Sequence, residues 1–383
     1  MKLFHIHVVM TTSLFSSLIW GMMLPNLTPY FSAKGFEIIS IGLLFSISVL
    51  SRVFSQYFFG ALISRYGFVV AGMVNAFGIF LLSLLLIDEF EHPIKLILAG
   101  IGFGLINGIF FVTLDTIIRS VSESPAKLFS LRIVLVGIGL TVGPILNHFL
   151  LLISVESCLK LQLLVAILIS IYFFFFPKSS MLLETRRTLS FSPNLRIVII
   201  ALPVFTAQII YGALEPILPL YALNEIKDPK MAPIFFSVNF IAFIIGQGFG
   251  LILQKFLKIE NIFILAFTLM GLSFCIFSLQ TNPFFFYLWI SLESISASIL
   301  FLTGKSIIGS YFSKEEFANA YGQYAAFTDF GLFIAPVIFT YWYQHISAKY
   351  ILPSIAGFVL CFLLLFGLIQ FFSQQRLRAA EGE

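Results

Sequence analysis

Long apolar stretches separated by short polar segments run through nearly the whole chain. Twelve of them approach the roughly 20 residues that an α-helix needs to cross a bilayer. Their approximate ranges are 7–30, 38–63, 68–87, 94–118, 128–152, 159–176, 196–221, 233–254, 261–280, 284–308, 318–343 and 350–372. We therefore predict an all-α membrane protein with twelve transmembrane helices.

One stretch near the start of the chain, WGMMLPNLTPY, returns in altered form near the middle as YGALEPILPLY. Three pairs of segments match at shifts of 190 to 192 residues: 20–30 with 211–221, 113–120 with 303–310, and 139–144 with 331–336. Matches at nearly one offset indicate an internal repeat, and many transporters are built from such repeats. The pattern therefore predicts two homologous halves related by pseudo-two-fold symmetry.

The predicted halves are a six-helix bundle at 1–176 and a second at 196–383, and residues 177–195 form the linker between them. Lys and Arg residues near the helix ends number thirteen on the side of the N-terminus and six on the other side. Cytoplasmic loops carry the excess of basic residues in membrane proteins. Both termini and the linker are therefore predicted to be cytoplasmic, with the protein in the inner or plasma membrane of the cell.

Composition agrees with this picture and excludes several classes of protein. The chain is 59% hydrophobic and 10% charged, whereas soluble domains carry about 25% charged residues. Three cysteines, Cys158, Cys275 and Cys361, lack the spacing of a disulfide or metal framework and are interpreted as packing residues. No Walker-type phosphate loop is present, so we do not expect this chain to use ATP to drive transport. No cofactor, metal ion or nucleic acid is predicted as a partner.

After the second predicted helix, residues 60–67 read GALISRYG. This segment resembles the loop motif G-x-L-a-D-r-x-G of the major facilitator superfamily: Gly60, Arg65 and Gly67 match, and Ser64 replaces the usual Asp. In that family the loop latches the cytoplasmic side in one conformation. The resemblance implies a transporter with a weaker or differently built latch.

Two charged residues at repeat-related positions belong to the same region. Asp115 and Lys305 lie 190 residues apart, each near the inner end of its predicted helix. Many family members carry an acidic partner for the latch where Asp115 stands. We interpret the two residues as a structural ion pair or a gate.

The fifth predicted helix carries Gly139, Gly143 and Pro144, which resemble the G-x-x-x-G-P-x-x-G-G motif of family exporters that work as antiporters. Asn147 and His148 replace the final glycine pair. Small residues four apart allow helices to approach closely, and proline bends a helix. The motif therefore indicates either antiport or helix packing without directional meaning.

Charged side chains inside predicted helices form the candidate transport site, because each costs roughly 2.5 to 3.5 kcal/mol at a helix centre on insertion scales. Arg52, Glu293 and Asp329 lie near the midplane, and Glu215 lies closer to the outer surface. Burial favours proton binding by carboxyl groups, so the three acids are predicted to couple transport to protons. Arg132 lies about one turn inside the membrane, where its long side chain is expected to reach the surface.

Polar and aromatic side chains at similar depth are predicted to line the same cavity. Together with Arg52, the predicted substrate-binding residues are Gln56, Asn26, Asn107, Tyr211, Tyr321 and Tyr324. An interhelical hydrogen bond is an equally good interpretation for any one of them. The charges could likewise form a permanent salt bridge that only fixes helix packing.

These observations predict a monomeric secondary active transporter that works by alternating access. A midplane arginine suits an anionic or zwitterionic solute, and the fifth-helix motif with the membrane-depth acids favours proton-coupled export of a metabolite or drug. Proton-coupled uptake is the alternative hypothesis. A polytopic membrane enzyme would need clustered carboxylates or histidines at the membrane surface, and a non-transporting sensor would need an attached signalling domain. The expected partners are a small-molecule substrate, protons and the lipid bilayer.

Overall fold

The structure, a computed structural model, describes residues 2–55, 68–86, 93–121, 125–150, 154–175, 195–228, 230–277, 283–311 and 314–346, with isolated positions beyond. Eleven α-helices and no β-strand occur in these ranges. They are α1 (Lys2–Ala33), α2 (Ile38–Phe54), α3 (Phe68–Ser83), α4 (Pro93–Val121), α5 (Pro125–Leu150), α6 (Val155–Phe175), α7 (Leu195–Asn224), α8 (Met231–Leu253), α9 (Ile259–Phe277), α10 (Pro283–Tyr311) and α11 (Lys314–His345). The twelfth predicted helix, 350–372, falls mostly outside the described residues.

Local sequence explains where several helices begin and end. Three helices have a proline as their first described residue, at Pro93, Pro125 and Pro283, and proline is well tolerated in the first turn of a helix. After α1 the backbone of Gly35 has a φ of 83°, and the N–H of Phe36 donates to the carbonyl of Phe31 at 3.1 Å. This hydrogen bond is typical of a helix that ends at a left-handed glycine.

The helices extend beyond the apolar stretches from which they were predicted. α1 begins at Lys2 and not at residue 7, and α11 begins at Lys314 and not at residue 318. Intrahelical hydrogen bonds form in polar sequence as well as in apolar sequence, so the apolar limits underestimate helix length. In the described part of the chain, seven helices are long and apolar enough to cross a membrane, and three shorter helices are also apolar. The prediction of an all-α membrane protein is confirmed.

Contacts divide the chain into two compact units, and the first consists of Met1–Leu189, Gly212–Ile241 and Leu332–His345. Within it, α1 packs on α5 and α6, α2 packs on α4, and α3 packs on α4 and α6. Parts of α7, α8 and α11 belong to this unit, so the units do not follow the two halves of the sequence. Most of the predicted linker, 177–195, lies outside the described residues, and the predicted domain boundary stays a prediction.

Glycines set the contact between α2 and α4 in the first unit. A Cβ added at Gly104 would press on the Ser48 carbonyl and lie 2.8 Å from the Arg52 nitrogen, and one at Gly108 would lie 2.7 Å from the Arg52 oxygen. Small residues at this spacing let two backbones approach closely. The backbone of Arg52 is thereby held directly against α4.

The second unit consists of Ser190–Tyr211, Ala242–Gly331 and Ile346–Glu383. Within it α9 packs along α10, and α8 also approaches α10 closely, since a Cβ added at Gly246 would lie 2.6 Å from the Ile295 carbonyl oxygen. α10 is buried along one stripe, where Trp289, Glu293, Ala297 and Leu300 are each 0% exposed. A carboxyl group therefore lies in an otherwise apolar face of this helix.

Candidate functional site

Part of the predicted site lies beyond what the structure describes. Gln56 and the latch residues Gly60, Arg65 and Gly67 lie outside the described residues. Asp115, Lys305 and Tyr321 belong to α4, α10 and α11, but their side chains lie outside the described part of the chain. The predicted latch and its gate therefore stay predictions.

In the first unit the structure brings Arg52 of α2 into electrostatic interaction with Glu215 of α7. Both side chains are half-buried. Opposite charges attract more strongly where protein replaces water around them. Arg52, in the first half of the chain, therefore has an acid of the second half as an electrostatic partner.

In the second unit Tyr211 of α7 meets residues of two neighbouring helices. Its hydroxyl lies 3.2 Å from the Oγ atom of Ser294 on α10. Its ring makes edge contacts with the rings of Phe243, at a centroid distance of 6.0 Å, and of Phe301, at 6.3 Å. Ser298 Oγ also donates to the Phe243 carbonyl at 2.6 Å, which ties α10 to α8. Tyr211 thus joins a polar contact to a half-buried aromatic cluster.

Asp329 of α11 has a partner one turn before Tyr211 on α7. The side-chain amide of Gln208 donates to Asp329 Oδ1 at 3.1 Å. Beside this pair, a Cβ added at Gly331 would lie 2.5 Å from the Phe205 carbonyl oxygen. The carboxyl of Asp329 therefore links α11 to α7 at a close helix crossing.

Glu293 of α10 has a different environment. The residue is 0% exposed, and neither carboxyl oxygen has a hydrogen-bond partner among the described residues. An ionised carboxylate in such a place would carry a large desolvation cost. Glu293 is therefore the most completely buried of the predicted proton-coupling acids.

The remaining predicted substrate contacts lie at different places. Asn26 of α1 and Asn107 of α4 are half-buried in the first unit. Tyr324 of α11 is 2% exposed and packs against Gly304 in the second unit, where a Cβ added at Gly304 would press on its hydroxyl and lie 3.2 Å from Val204. Tyr324 therefore fills space between helices.

The predicted packing motif on α5 lies against α1. A Cβ added at Gly139 would lie 2.8 Å from the Leu14 carbonyl oxygen, and one at Gly143 would press on the Leu18 carbonyl. One at Gly21 would lie 3.0 Å from the Pro144 ring and 3.1 Å from the Leu140 carbonyl oxygen. Proline has no N–H to donate to the carbonyl four residues earlier in the helix. Pro144 therefore leaves the Leu140 carbonyl oxygen without its usual helical hydrogen bond.

The repeat forms the same contact between α7 and α11. A Cβ added at Gly212 would lie 2.9 Å from the Leu332 carbonyl oxygen and 3.2 Å from the Pro336 ring. Gly212 and Pro336 are the repeat counterparts of Gly21 and Pro144. A chance match of a few residues would not also produce the same contact between two helices. The two crossings therefore support the internal duplication.

Arg132 of α5 is buried inside the protein. The side chain is 6% exposed, and its Nε atom donates to Ser13 Oγ of α1 at 3.0 Å. The expectation that it reaches the membrane surface considered only the depth of the residue along α5 and did not foresee this contact. The side chain turns towards α1, where a hydrogen-bond acceptor is available.

A sequence model of the Major Facilitator Superfamily matches residues 9–258 and residues 200–381 of the chain. The chain belongs to the major facilitator superfamily. It is therefore a membrane transporter of the secondary type and not an enzyme, and its substrate is a small molecule.

Solved structures show the same superfamily fold. The crystal structure of the nucleoside transporter NupG aligns over 95% of this chain and 98% of that one, with a TM-score of 0.70 and 15% sequence identity. The crystal structure of a NupG point mutant aligns over 95% and 99%, with a TM-score of 0.77 and 14% identity. At this identity the likeness concerns the fold alone. No curated protein sequence matches the chain.

Sequence reasoning missed two contacts of this superfamily member. A Cβ added at Gly42 of α2 would press on Thr340 of α11 and lie 2.7 Å from the Pro336 carbonyl oxygen. The amide of Asn147 donates to the Met22 carbonyl at 2.7 Å, between α5 and α1. The replacement of a motif glycine by Asn147 was visible in the sequence, but nothing there indicated its acceptor. Nothing in the sequence around Gly42 indicated its contact, because that contact joins two helices that are far apart in the chain.

Proposed function

We propose that this protein is a proton-coupled exporter of an anionic or zwitterionic metabolite or drug, working by alternating access. It acts in the inner or plasma membrane of the cell as a monomer, with both termini in the cytoplasm. The single observation that carries the proposal is the division of charge. A half-buried arginine lies in the first half, and three acids lie within helices of the second half.

The interaction between Arg52 and Glu215 supports an anionic substrate group. An arginine is permanently protonated, and its guanidinium suits a carboxylate or phosphate through two parallel hydrogen bonds. Glu215 neutralises the cation while no substrate is bound. A substrate anion then competes with Glu215 for Arg52, and half-buried Asn26 and Asn107 supply further polar contacts.

The acids support coupling to protons, because a carboxyl group inside a membrane protein is costly unless it is paired or protonated. Glu215, Glu293 and Asp329 are the candidates. A proton bound on one side of the membrane and released on the other changes the charge of the site during each cycle. That change of charge gives a physical route from the proton gradient to the solute.

Export is the direction that the motif on α5 favours. Its Gly139, Gly143 and Pro144 resemble the antiporter motif of family exporters. Their contacts, however, recur between α7 and α11, where Gly212 and Pro336 meet. The packing interpretation therefore explains these residues as well as the directional one does.

Proton-coupled uptake is the second candidate function, and a specific observation favours it. Asn147 stands at a glycine position of the antiporter motif, and its amide donates to the Met22 carbonyl. An uptake protein would have no need of that motif.

Metabolite profiling of cells and of their medium, with and without the protein, tests the direction. Export predicts a compound with an acid group that is enriched in the medium and depleted in the cells. Uptake predicts the reverse for a compound supplied outside. A nucleoside is the first compound to supply, because the fold aligns with that of NupG, a nucleoside transporter. No change in any solute in either compartment would contradict both proposals.

A further inference from the structure

The three membrane-depth acids of the second half do not share one environment. Asp329 accepts a hydrogen bond from Gln208 at 3.1 Å, and Glu215 interacts with Arg52. Glu293 is 0% exposed, and both of its oxygens are without a hydrogen-bond partner among the described residues. Two of the acids therefore each have a polar or charged partner, whereas the third is buried without one among the described residues, a position that disfavours an ionised carboxyl group.

Glu293 lies on the face of α10 that packs against other helices of the second unit. Gly304 lies eleven residues later, which is about three helical turns, so the two residues share one face. That face meets α7 and α11, because a Cβ added at Gly304 would lie 3.2 Å from Val204 and would press on the Tyr324 hydroxyl. Glu293 is thus enclosed by protein, and a proton on it is shielded from water in this conformation.

Among the side chains that the structure describes in this unit, few charged or titratable groups lie on the helices around α10, and one of them, Arg196 of α7, is exposed. On α7 and α11, Tyr211 bonds to Ser294, Tyr324 packs on Gly304, and Asp329 bonds to Gln208. On α9, Glu260 is exposed, and the side chain of Cys275 lies outside the described part of the chain. The segment of α8 in this unit, 242–253, has no titratable residue. None of these groups supplies Glu293 with a compensating positive charge.

We propose that Glu293 is the residue that binds the coupling proton, whereas Asp329 fixes α11 to α7 and Glu215 serves as the resident counter-ion of Arg52. This assignment rests on the proposed proton coupling and narrows it from three acids to one. Water must reach Glu293 for the proton to leave, so α10 has to move relative to its neighbours in each cycle.

The adjoining residue on α10 links this movement to a predicted substrate contact. Ser294 follows Glu293 directly and shares a hydrogen bond with the hydroxyl of Tyr211. A shift of α10 that exposes Glu293 therefore also alters this bond and the position of Tyr211. Proton release and substrate contact are coupled through one helix in this way.

Infrared spectroscopy of the purified protein in lipid nanodiscs, recorded over a range of pH, tests the assignment. A protonated carboxyl group gives a C=O stretching band that disappears when it ionises. We expect the wild type to show such a band at neutral pH and to lose it as the pH rises. Glu293→Gln should lack the band, whereas Asp329→Asn and Glu215→Gln should retain it.

A band that persists in Glu293→Gln, or that disappears in Asp329→Asn, would overturn the assignment. Glu293→Asp is the second variant in case the Gln variant does not fold, and its band should titrate at a different pH from that of the wild type. An unchanged titration in Glu293→Asp would also overturn it. Solute accumulation that needs no proton gradient would refute the proposed coupling, while the infrared result would still identify the acid that titrates.

Discussion

The crossing of α1 with α5 and the crossing of α7 with α11 are two versions of one structure. In each, a glycine of the duplicated stretch faces a proline ring and the carbonyl that the proline deprives of its donor. The first crossing contains Gly143, where the second contains Ala335. Close to the second crossing, the half-buried side chains of Gln208 and Asp329 share a hydrogen bond. The two copies therefore share their backbone geometry and differ in the side chains at and beside the contact.

Replacement of Gly143 by Val should have the largest effect on stability. Its added atoms would meet the Leu18 carbonyl and the Met22 nitrogen, which is 2.8 Å from a Cβ at Gly143. Backbone atoms cannot move aside as a flexible side chain can, so we expect a loss of about 3 kcal/mol, the upper part of the usual range for overpacking. Thermal unfolding in detergent measures the loss.

Ala335→Val is the matched change in the other crossing, and Gly248→Val is the control on an open surface, since nothing lies within 4 Å of a Cβ at Gly248. Ala335 already accommodates a Cβ, so its substitution should cost less than that of Gly143. The control should leave the unfolding temperature nearly unchanged. Equal losses at positions 143 and 335 would contradict the difference in packing between the two crossings.

Arg52 provides a test of the division of charge between the halves. Arg52→Lys keeps the positive charge but loses the two parallel hydrogen-bond donors of the guanidinium group, and Arg52→Gln loses both the charge and these donors. Hydrogen bonds to charged groups contribute about 1.5 to 3 kcal/mol, so affinity for a carboxylate solute should fall about tenfold or more in the Gln variant and less in the Lys variant.

The control for Arg52 is the same solute with its acid group replaced by an amide, and binding to it should change much less. Isothermal titration of both compounds against the three proteins measures the difference. An equal loss for the acid and the amide would show that Arg52 holds helices together and does not recognise the charge of the ligand.

Asp329→Leu tests the polar link between α7 and α11. It leaves the half-buried amide of Gln208 without this acceptor, and such a loss costs about 1 to 3 kcal/mol for a fully buried group and less here. Asp329→Asn keeps an acceptor oxygen at the same place and should cost less. If both variants unfold at the temperature of the wild type, the hydrogen bond does not stabilise the crossing.

Alanine at Gly21 and at Gly212 should have the smallest effects and similar ones. A Cβ would lie 3.1 Å from the Leu140 oxygen in one case and 2.9 Å from the Leu332 oxygen in the other. The tight contact opposes the gain of about 1 kcal/mol that alanine brings to a helix relative to glycine. A large loss in one variant and none in the other would show that the two crossings are not equivalent.

Much of the fold could be predicted from the sequence, because lipid imposes a simple rule. Every spanning segment must satisfy its own backbone hydrogen bonds, so apolar runs become helices, as α7 and α10 did with ends within a few residues of the prediction. The duplication was visible for a related reason. Glycine and proline positions such as Gly21 and Pro144 depend on backbone contacts that other residues cannot make.

The partners within the candidate site could not be predicted in the same way. Depth along a helix selected the acids and the arginine as candidates, but it does not say which way a side chain points. Arg132 turned inwards to Ser13, and Asp329 found Gln208, where the sequence allowed several partners. These choices depend on the rotation and packing of neighbouring helices, and sequence periodicity does not determine those in a chain that is apolar on nearly every face.

The division of function between the halves is tested most directly by one comparison of extracellular metabolites. Cells that express the wild type, Arg52→Gln or Glu293→Gln are grown alike, and the medium of each is profiled together with that of cells lacking the protein. We predict that the wild type enriches the medium in a compound with a carboxylate or phosphate group and that both variants abolish the enrichment. Enrichment in a compound without an acid group, undiminished in both variants, would contradict the account.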